Sequence, residues 1–518
     1  MANKFSLDDD SVAVVIGSGA GGGTLANSLA QQGINVVCLE AGNRLEFKDI
    51  VNDEALMFNK FTWLDERIGE GDALPDLPLW TCKTVGGTTM HWTAATPRIQ
   101  AHELKARSTY GNITGTSLVD WPLALGDLEP YYEKAEDRMG VTGTNGIRQL
   151  PENNNFKVLK AGARKLGYKD FDTNRMAINP EPRDGRAGCL ALGFCSSGCA
   201  TGAKWSTLYT EITKAEKTDH FELRTECMAV KLETDTSNRV TSVHYLDKDG
   251  NMHKQKARFV SVAGNTVETT RLLLNSRNGQ FPNGLANSSD QVGRNYMRHL
   301  LLGAVGVMPG EVHMYKGAQV AGVIRDETRH DPTRGFVGGF QLHIVPWTPR
   351  TLGTLLTVKW GRELTAILDQ YRNLACLLVM GEDMPVPENR ITLHPTRRDQ
   401  YGLPVPVVRY VHHANNRAMQ RYSLDAAQRL YQSMGAKQVY KMVDVFPSTH
   451  NMGIARMGDD PRTSVCDKWG RTHDIKNLFI SDGSLFPSAG CENPTITIVA
   501  LALRQGDHIS DLMAQGAI

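Results

Sequence analysis

The sequence predicts an α/β protein (α+β overall) in which two domains are interleaved along the chain. The length of 518 residues exceeds the roughly 250 to 300 residues at which single hydrophobic cores stop growing. A glycine-rich β-α-β pattern stands at the start, and the segment 482–498, nearly the whole chain away, suits the closing half of the same site. Strand-like runs in 300–445 indicate a second sheet with covering helices.

The opening unit has the spacing of a dinucleotide-binding fingerprint. Residues 11–16 form an almost continuous apolar run that ends in glycines, as buried parallel strands do. A helix is expected over 24–32 with Gly33 as its stop, followed by a second strand over 35–40. The pattern therefore predicts a Rossmann-like domain at the N-terminus.

The glycines and one acid of this unit have separate tasks. Gly17 allows the tight turn, Gly19 lets the backbone approach a pyrophosphate, and Gly22 lets the helix pack closely on the strand. Glu40 is placed to hydrogen-bond an adenosine ribose. The fingerprint alone does not decide between a nicotinamide and a flavin.

The rest of the chain divides by its apolar pattern and its turn residues. An excursion over the site is expected at 43–80, and irregular surface at 144–188. Antiparallel strands are expected in 221–249, and a buried strand at 259–264 that enters a helix at 268–275. Further helices are expected after Trp121, with a proline near the helix start, at 362–374 and at 416–434.

Composition limits the partners. The chain carries 57 basic and 56 acidic residues, so no long-range electrostatic attraction to nucleic acid or to an anionic membrane is expected. No apolar run approaches the roughly 20 residues that span a bilayer, and the N-terminus lacks the pattern of a secretory signal. We expect a small neutral substrate and a chain that neither inserts nor exports itself.

Ordered motifs over most of the chain resemble the glucose-methanol-choline (GMC) flavoprotein oxidoreductases. The matching pieces are Gly17 to Gly22, 86–89, Trp121-Pro122, 127–132, 263–274, 292–295, 450–453 and 477–484. The resemblance implies FAD held by both ends of the chain. It implies an FAD-binding domain over 1–100, 190–300 and 446–518, and a substrate-binding domain on a mostly antiparallel sheet over 101–189 and 301–445. The implied cofactor-binding residues are Gly17, Gly19, Gly22, Glu40, Gly86, Gly87, Thr88, His91, Trp92, Asp482, Asn493, Pro494 and Thr495.

The resemblance also implies a catalytic pair. Oxidation of an alcohol by a flavin requires a base within hydrogen-bond reach of the hydroxyl, and histidine suits this task near neutral pH. His450 matches the family position of the base, and Asn493 matches the second position, where it would hydrogen-bond the same oxygen. A structural histidine and a turn asparagine before proline are the alternatives.

His91 lies in a segment, 89–97, that resembles the one in pyranose oxidases whose histidine is joined covalently to the flavin. Related sugar dehydrogenases also have a His-Trp pair here, so contact of His91 with the flavin and a covalent bond to it are separate expectations. The alternative is a histidine that only packs against Trp92.

Three cysteines, Cys189, Cys195 and Cys199, fall within eleven residues. Three thiolates on a short loop suffice for three corners of an iron-sulfur cluster. The spacing resembles that of bacterial FAD-dependent sugar dehydrogenases with a three-iron, four-sulfur (3Fe-4S) cluster, although those continue Cys-Pro and this chain continues Cys199-Ala200. A structural loop of reduced thiols, or a disulfide between two of them, is the alternative.

The leading hypothesis is an FAD-dependent sugar or polyol dehydrogenase that passes electrons to an acceptor other than oxygen. A sugar or glycoside is the expected substrate. A small partner subunit is expected, with a cytochrome c as the electron acceptor. The expected location is periplasmic or on the inner membrane through that partner, with the cytoplasm as the alternative. A pyranose-oxidase-type oxidase that makes hydrogen peroxide and a flavin-containing lyase stay open.

Overall fold

The structure is a computed structural model, and it describes residues 3–356, 359–443 and 449–518. Within these ranges, no helix is both long and apolar enough to span a bilayer. The helices, in chain order, are α1 Ala20–Gln31, α2 Glu54–Phe61, α3 Ala101–Leu104, α4 Ala106–Tyr110, α5 Leu125–Met139, α6 Asn154–Lys165, α7 Glu211–Ala215, α8 Asn265–Asn275, α9 Pro349–Leu355, α10 Arg362–Leu368, α11 Ala414–Ser433 and α12 Thr495–Ala514.

The strands group into four sheets. In chain order they are β1 Ala13–Ile16, β2 Val36–Leu39, β3 Ile68–Gly71, β4 Phe171–Thr173, β5 Phe221–Arg224, β6 Met228–Thr234, β7 Val240–Leu246, β8 Met252–Lys256, β9 Phe259–Val262, β10 Leu300–Val307, β11 Gly322–Ile324, β12 Phe340–Ile344, β13 Leu374–Gly381, β14 Arg390–Arg398, β15 Pro404–Tyr410, β16 Gln438–Met442 and β17 Leu478–Ile480.

A five-stranded parallel sheet joins the two ends of the chain. Its order is β17-β9-β1-β2-β5, so the last strand of the sequence lies two places from the first. All four residues of β1, of β2 and of β9 are buried, as expected for strands covered on both faces. Helix α1 packs on α12, and α12 packs on α5.

A six-stranded antiparallel sheet forms the second large layer. Its order is β16-β10-β13-β12-β11-β4, and every neighbouring pair is antiparallel. Helices α6 and α11 bury their apolar sides in the core of this sheet. The predicted fold class, a Rossmann-like domain with an interleaved, mostly antiparallel domain, is therefore confirmed.

Several predicted elements are wrong in detail. Residues 144–188 are not all irregular, because α6 lies within them and buries Phe156, Leu159 and Ala163 at helical spacing, and β4 adds an edge strand to the antiparallel sheet. Asn153 caps α6 by accepting the Phe156 amide at 2.9 Å.

Residues 221–249 are not all antiparallel, because β5 pairs in parallel with β2. It is the edge strand of the parallel sheet, and its sequence Phe-Glu-Leu-Arg alternates apolar and polar residues like an antiparallel strand.

The first helix begins at Ala20, four residues before the predicted start, because only Gly17 of the glycine run has a positive φ, of 96°. The helix after Trp121 begins at Leu125 and carries Pro130 inside it instead of at its start. The predicted domain boundaries stay a prediction, and the one at 445/446 lies outside the described residues.

Candidate active site

A cavity of about 580 Å³ lies between the two large sheets, within the usual size range of ligand sites. One wall is formed by the loops that follow β1, β9 and β17, at the carboxyl ends of three neighbouring parallel strands. The opposite wall includes Leu301 of β10 and Leu378 and Met380 of β13. Dinucleotides bind at such strand ends in Rossmann-like folds.

The glycine loop after β1 is closely packed against both halves of the chain. A Cβ on Gly21 would lie 1.5 Å from the carbonyl oxygen of Ser481, and one on Gly22 would lie 2.0 Å from that of Gly17. Gly17 and Gly19 line the cavity, whereas Gly22 lies behind its surface, where it allows the helix to pack as predicted. The segment before Asp482 thus completes the site that the first strand begins.

Glu40, at the end of β2, lines the cavity and ties the glycine loop in place. Its Oε2 accepts from the amide of Ser18 at 3.0 Å and from the Ser18 hydroxyl at 2.6 Å, and its Oε1 accepts from the Gly42 amide at 2.9 Å. Burial raises the pKa of Glu40, and the hydrogen bonds from Ser18 and Gly42 oppose this shift. The carboxyl thus fixes the loop as well as facing the cavity.

Asp482 closes the same site from the C-terminal side. Its Oδ1 accepts from the Ser484 amide at 2.9 Å, and its Oδ2 accepts from the Thr269 hydroxyl of α8 at 2.7 Å. Burial raises the pKa of this carboxyl against these hydrogen bonds. Asp482 therefore connects α8 to the cavity, which it lines.

The turn 86–92 brings His91 to the cavity. Gly86 has a φ of 95° and donates its amide to Ser18 Oγ at 3.0 Å, so this turn packs on the glycine loop. Gly87, Thr88, His91 and Trp92 line the cavity, and Gly86 lies behind them. The His91 ring stacks on Trp80 with centroids 4.2 Å apart, and its buried Nε2 has no hydrogen-bond partner among the described residues. Burial lowers the pKa of His91 to about 3.

His450 lines the cavity, has an unusual backbone conformation, and makes a hydrogen bond through one of its two ring nitrogens. Its φ of 55° is rare for a residue with a side chain, and such strain collects at functional sites. Its Nδ1 lies 2.9 Å from Nδ1 of His299, and Nε2 of His299 lies 2.9 Å from the carbonyl oxygen of Gly490.

These two contacts determine the tautomers of both rings. A carbonyl oxygen only accepts, so His299 carries its proton on Nε2, and its Nδ1 is then the acceptor. His450 must donate from Nδ1, which leaves the lone pair on its Nε2. Burial lowers the pKa of His299 to about 4, and burial with the nearby His299, His343 and His91 rings lowers that of His450 well below its usual value, so both rings are neutral at pH 7. His450 therefore offers a proton acceptor.

Asn493 stands at the start of α12 and lines the same cavity with Pro494 and Thr495. Its Oδ1 is buried and has no hydrogen-bond partner within the described ranges. Buried amide oxygens are nearly always paired, so this atom fits contact with a bound molecule. The structure thus brings both predicted catalytic residues, His450 and Asn493, to one cavity.

The three cysteines of the loop line a separate small cavity of about 40 Å³. All nine cysteines are unpaired, so the loop carries no disulfide. Burial opposes ionisation of Cys199, but the amide of Lys204 at 3.4 Å, the Thr201 hydroxyl and the Lys204 ammonium outweigh it and lower the pKa of this thiol. Burial raises the pKa of Cys189 and raises that of Cys195 to about 11, so Cys199 is the one thiol of the three that is favoured as a thiolate. Cysteine sulfur is the donor type that iron-sulfur clusters use.

Lys204 connects the cysteine loop to the turn of His91. Its buried Nζ donates to the carbonyl oxygens of Met90 at 2.9 Å, Trp92 at 2.8 Å and Cys195 at 2.5 Å. Ser196 and Ser197, which lie between Cys195 and Cys199, line the main cavity. The two cavities are therefore separated by only one short stretch of the loop.

Several site residues were missed by sequence reasoning. His299 follows the family segment 292–295, but no local motif marks it. His343 stands in β12, where all five residues are buried, and a buried histidine within an apolar strand is a signal that could have found it. Lys204 carries no signal in the sequence.

The comparisons with known proteins agree with this geometry. Two models described as GMC oxidoreductase match residues 76–301 and 385–502. The chain belongs to the GMC oxidoreductase family. It is 31% identical over 538 residues to 2-methyl-1,2-propanediol dehydrogenase of Mycolicibacterium austroafricanum, covering 97% of this chain and 95% of that one. It is 30% identical over 556 residues to the fructose dehydrogenase large subunit of Gluconobacter japonicus, covering 97% and 98%.

The fold of this GMC oxidoreductase is also similar to the crystal structure of pyridoxine 4-oxidase from Mesorbium loti. The TM-score is 0.69 at 16% identity, over 97% of this chain and 99% of that one. Family membership makes the protein an FAD-dependent oxidoreductase acting on CH–OH donors. The closely packed glycine loop and the orphaned Nε2 of His91 fit FAD as the molecule held in the cavity.

Proposed function

We propose that this GMC oxidoreductase oxidises a hydroxyl group of a sugar or polyol, with His450 as the base. The observation that carries the proposal is that Nε2 of His450 is unprotonated, because Nδ1 of His450 donates to His299 at 2.9 Å. His450 lies in the cavity that Asn493 also lines. His450 takes the hydroxyl proton on Nε2, and Asn493 hydrogen-bonds the same oxygen. FAD, when bound, supplies the acceptor for the hydride that leaves carbon.

The proposal includes an electron relay through the cysteine loop. Cys189, Cys195 and Cys199 would hold a 3Fe-4S cluster, and the short stretch that separates their cavity from the main one supports electron transfer to it. The electrons would then pass to an acceptor other than oxygen, through a small partner subunit and a cytochrome c. The relative named as a large subunit supports a partner subunit.

Two further parts of the proposal concern the flavin link and the location. The orphaned Nε2 of His91 supports contact with the flavin. His91 would also be the residue that is joined covalently to the flavin methyl group, with one methyl C–H bond replaced by a C–N bond and the two released electrons passed to the electron acceptor of the enzyme. The protein would work in the periplasm or on the inner membrane through its partner, with the cytoplasm as the alternative.

A pyranose-oxidase-type activity is the second candidate, favoured by the free Nε2 of His91 in a segment that resembles those oxidases. It would use oxygen directly and make hydrogen peroxide. The cysteine loop would then be structural.

The test is an anaerobic titration of the purified protein with sugars and polyols while the flavin absorption band is observed. We expect bleaching by at least one of them, and no bleaching by any would favour a lyase and contradict the proposal. Dye reduction without oxygen uptake supports the dehydrogenase, whereas hydrogen peroxide production supports the oxidase. Iron and acid-labile sulfide analysis tests the cluster, and the visible spectrum after acid precipitation tests the covalent flavin.

A further inference from the structure

His343 contributes a polar side chain to the apolar wall of the cavity. It stands on β12 opposite Leu378 of β13, and directly paired residues of an antiparallel sheet point to the same face. Leu378 and His343 both line the cavity. The His343 side chain is 2% exposed, so its polar atoms need partners from the protein or from a bound molecule.

Asn174 determines which nitrogen of His343 carries the proton. The Nδ2 of Asn174 lies 3.3 Å from the carbonyl oxygen of Val320 and 3.3 Å from Nδ1 of His343. The carbonyl oxygen accepts only, which identifies Nδ2 as the amide NH₂ group with two protons to donate. Nδ1 of His343 therefore accepts, and the neutral ring carries its proton on Nε2. Burial, which lowers the pKa of His343 to about 3, keeps the ring neutral.

The Nε2–H group of His343 is a buried donor without an acceptor among the described residues. A buried donor that stays unpaired is costly, and such groups in native structures point to a missing partner. His343 and His450 line one cavity, and the His343 ring is among the groups that lower the pKa of His450. The cavity thus has a hydrogen-bond acceptor on His450 and a hydrogen-bond donor on His343.

We propose that His343 is a specificity-determining residue that donates a hydrogen bond from Nε2 to a second oxygen atom of the substrate. The reacting hydroxyl donates to Nε2 of His450, and a neighbouring oxygen of the same molecule accepts from His343. Diols and sugars satisfy both groups, whereas a simple alcohol leaves the His343 donor unpaired. This inference rests on the proposed function, because it assumes that an alcohol reacts at His450.

The test compares matched substrates that differ in one oxygen, namely propane-1,2-diol with propan-1-ol and D-glucose with 2-deoxy-D-glucose. The kcat/KM for anaerobic flavin reduction is measured in the wild type, in His343→Leu and in His343→Gln. Loss of one neutral hydrogen bond lowers kcat/KM by about tenfold. We expect the loss of kcat/KM in His343→Leu to be about tenfold greater for the substrate with the second oxygen than for its partner. His343→Gln, which keeps an N–H donor, should restore most of the preference.

Equal loss with both members of a pair in His343→Leu, or an unchanged preference, would overturn the inference while leaving the proposed function in place. Wild-type flavin that no sugar or alcohol bleaches would instead overturn the proposed function, and the inference with it. The flavin spectrum and melting temperature of each variant show whether the fold is retained. If His343→Leu does not fold, His343→Gln alone decides. Loss in His343→Gln of the wild-type preference for the substrate with the second oxygen would contradict the inference.

Discussion

Replacement of His299 by leucine should reduce the rate of flavin reduction without removing the flavin. The base-competent tautomer of His450 carries its proton on Nδ1, which lies 2.9 Å from Nδ1 of His299. Leucine offers no acceptor there, and a buried donor left unpaired costs about 1–3 kcal/mol. In wild type this contact stabilises only the tautomer with Nδ1–H, so its loss lowers the ratio of the tautomer with a free Nε2 to the other tautomer by about 5- to 150-fold.

The assay is rapid mixing of anaerobic enzyme with saturating substrate, followed by the flavin absorption band. We expect the rate constant for bleaching in His299→Leu to fall by the same factor as the competent tautomer. His299→Gln is the matched control, since its amide oxygen accepts from His450 and its amide nitrogen donates to the carbonyl of Gly490. Its rate should stay within a few-fold of wild type. A wild-type rate in His299→Leu, or equal losses in both variants, would refute the tautomer argument.

Three other perturbations test separate parts of the account. Gly21→Ala should abolish FAD binding, because its Cβ would lie 1.5 Å from the Ser481 carbonyl oxygen. The control Gly126→Ala, in open space on α5, should bind FAD normally, and equal FAD content of the two variants would contradict the packing argument. Cys195→Ser should lower iron content and slow electron transfer to an artificial dye by at least about tenfold while flavin reduction is spared, and equal loss of both steps would mean that the loop is structural. Burial raises the pKa of Glu382 to about 7 from an ordinary value of 4.5, so between these pH values the folded state holds a proton that the unfolded state releases. The contribution of Glu382 to stability is therefore complete below pH 4.5 and is lost as the pH rises to about 7. The shift corresponds to roughly 3 kcal/mol, so Glu382→Gln should flatten the decline in melting temperature between about pH 5 and about pH 8, and an unchanged decline would exclude this carboxyl as its source.

The parts of the fold and site that the sequence predicted are those encoded within a few residues. The glycine loop, Glu40 and the strand-helix-strand pattern depend on local geometry, and so their positions could be predicted before the structure. His450 and Asn493 were found because each lies in a short segment that resembles the family. The helix α6 was missed because its apolar residues are few and its surroundings are rich in turn formers.

The remaining site residues depend on contacts between distant parts of the chain. His299 and His450 are 151 residues apart, and Asn174 and His343 are 169 apart. Such contacts follow from how the antiparallel sheet packs against the parallel one, which no local pattern specifies. The tautomers of His299 and His450 depend in turn on the carbonyl oxygen of Gly490, and that of His343 depends on the carbonyl oxygen of Val320, so all three could be derived only from atomic positions.

The central claim is that His450 removes the hydroxyl proton during FAD-dependent oxidation. Its most direct test is the anaerobic rate of flavin bleaching by a reactive sugar or polyol in His450→Ala compared with wild type. General base catalysis contributes about 10²- to 10⁴-fold, so the account predicts a loss in this range with FAD still bound and the fold unchanged. A variant that retains FAD and bleaches at the wild-type rate would contradict the account.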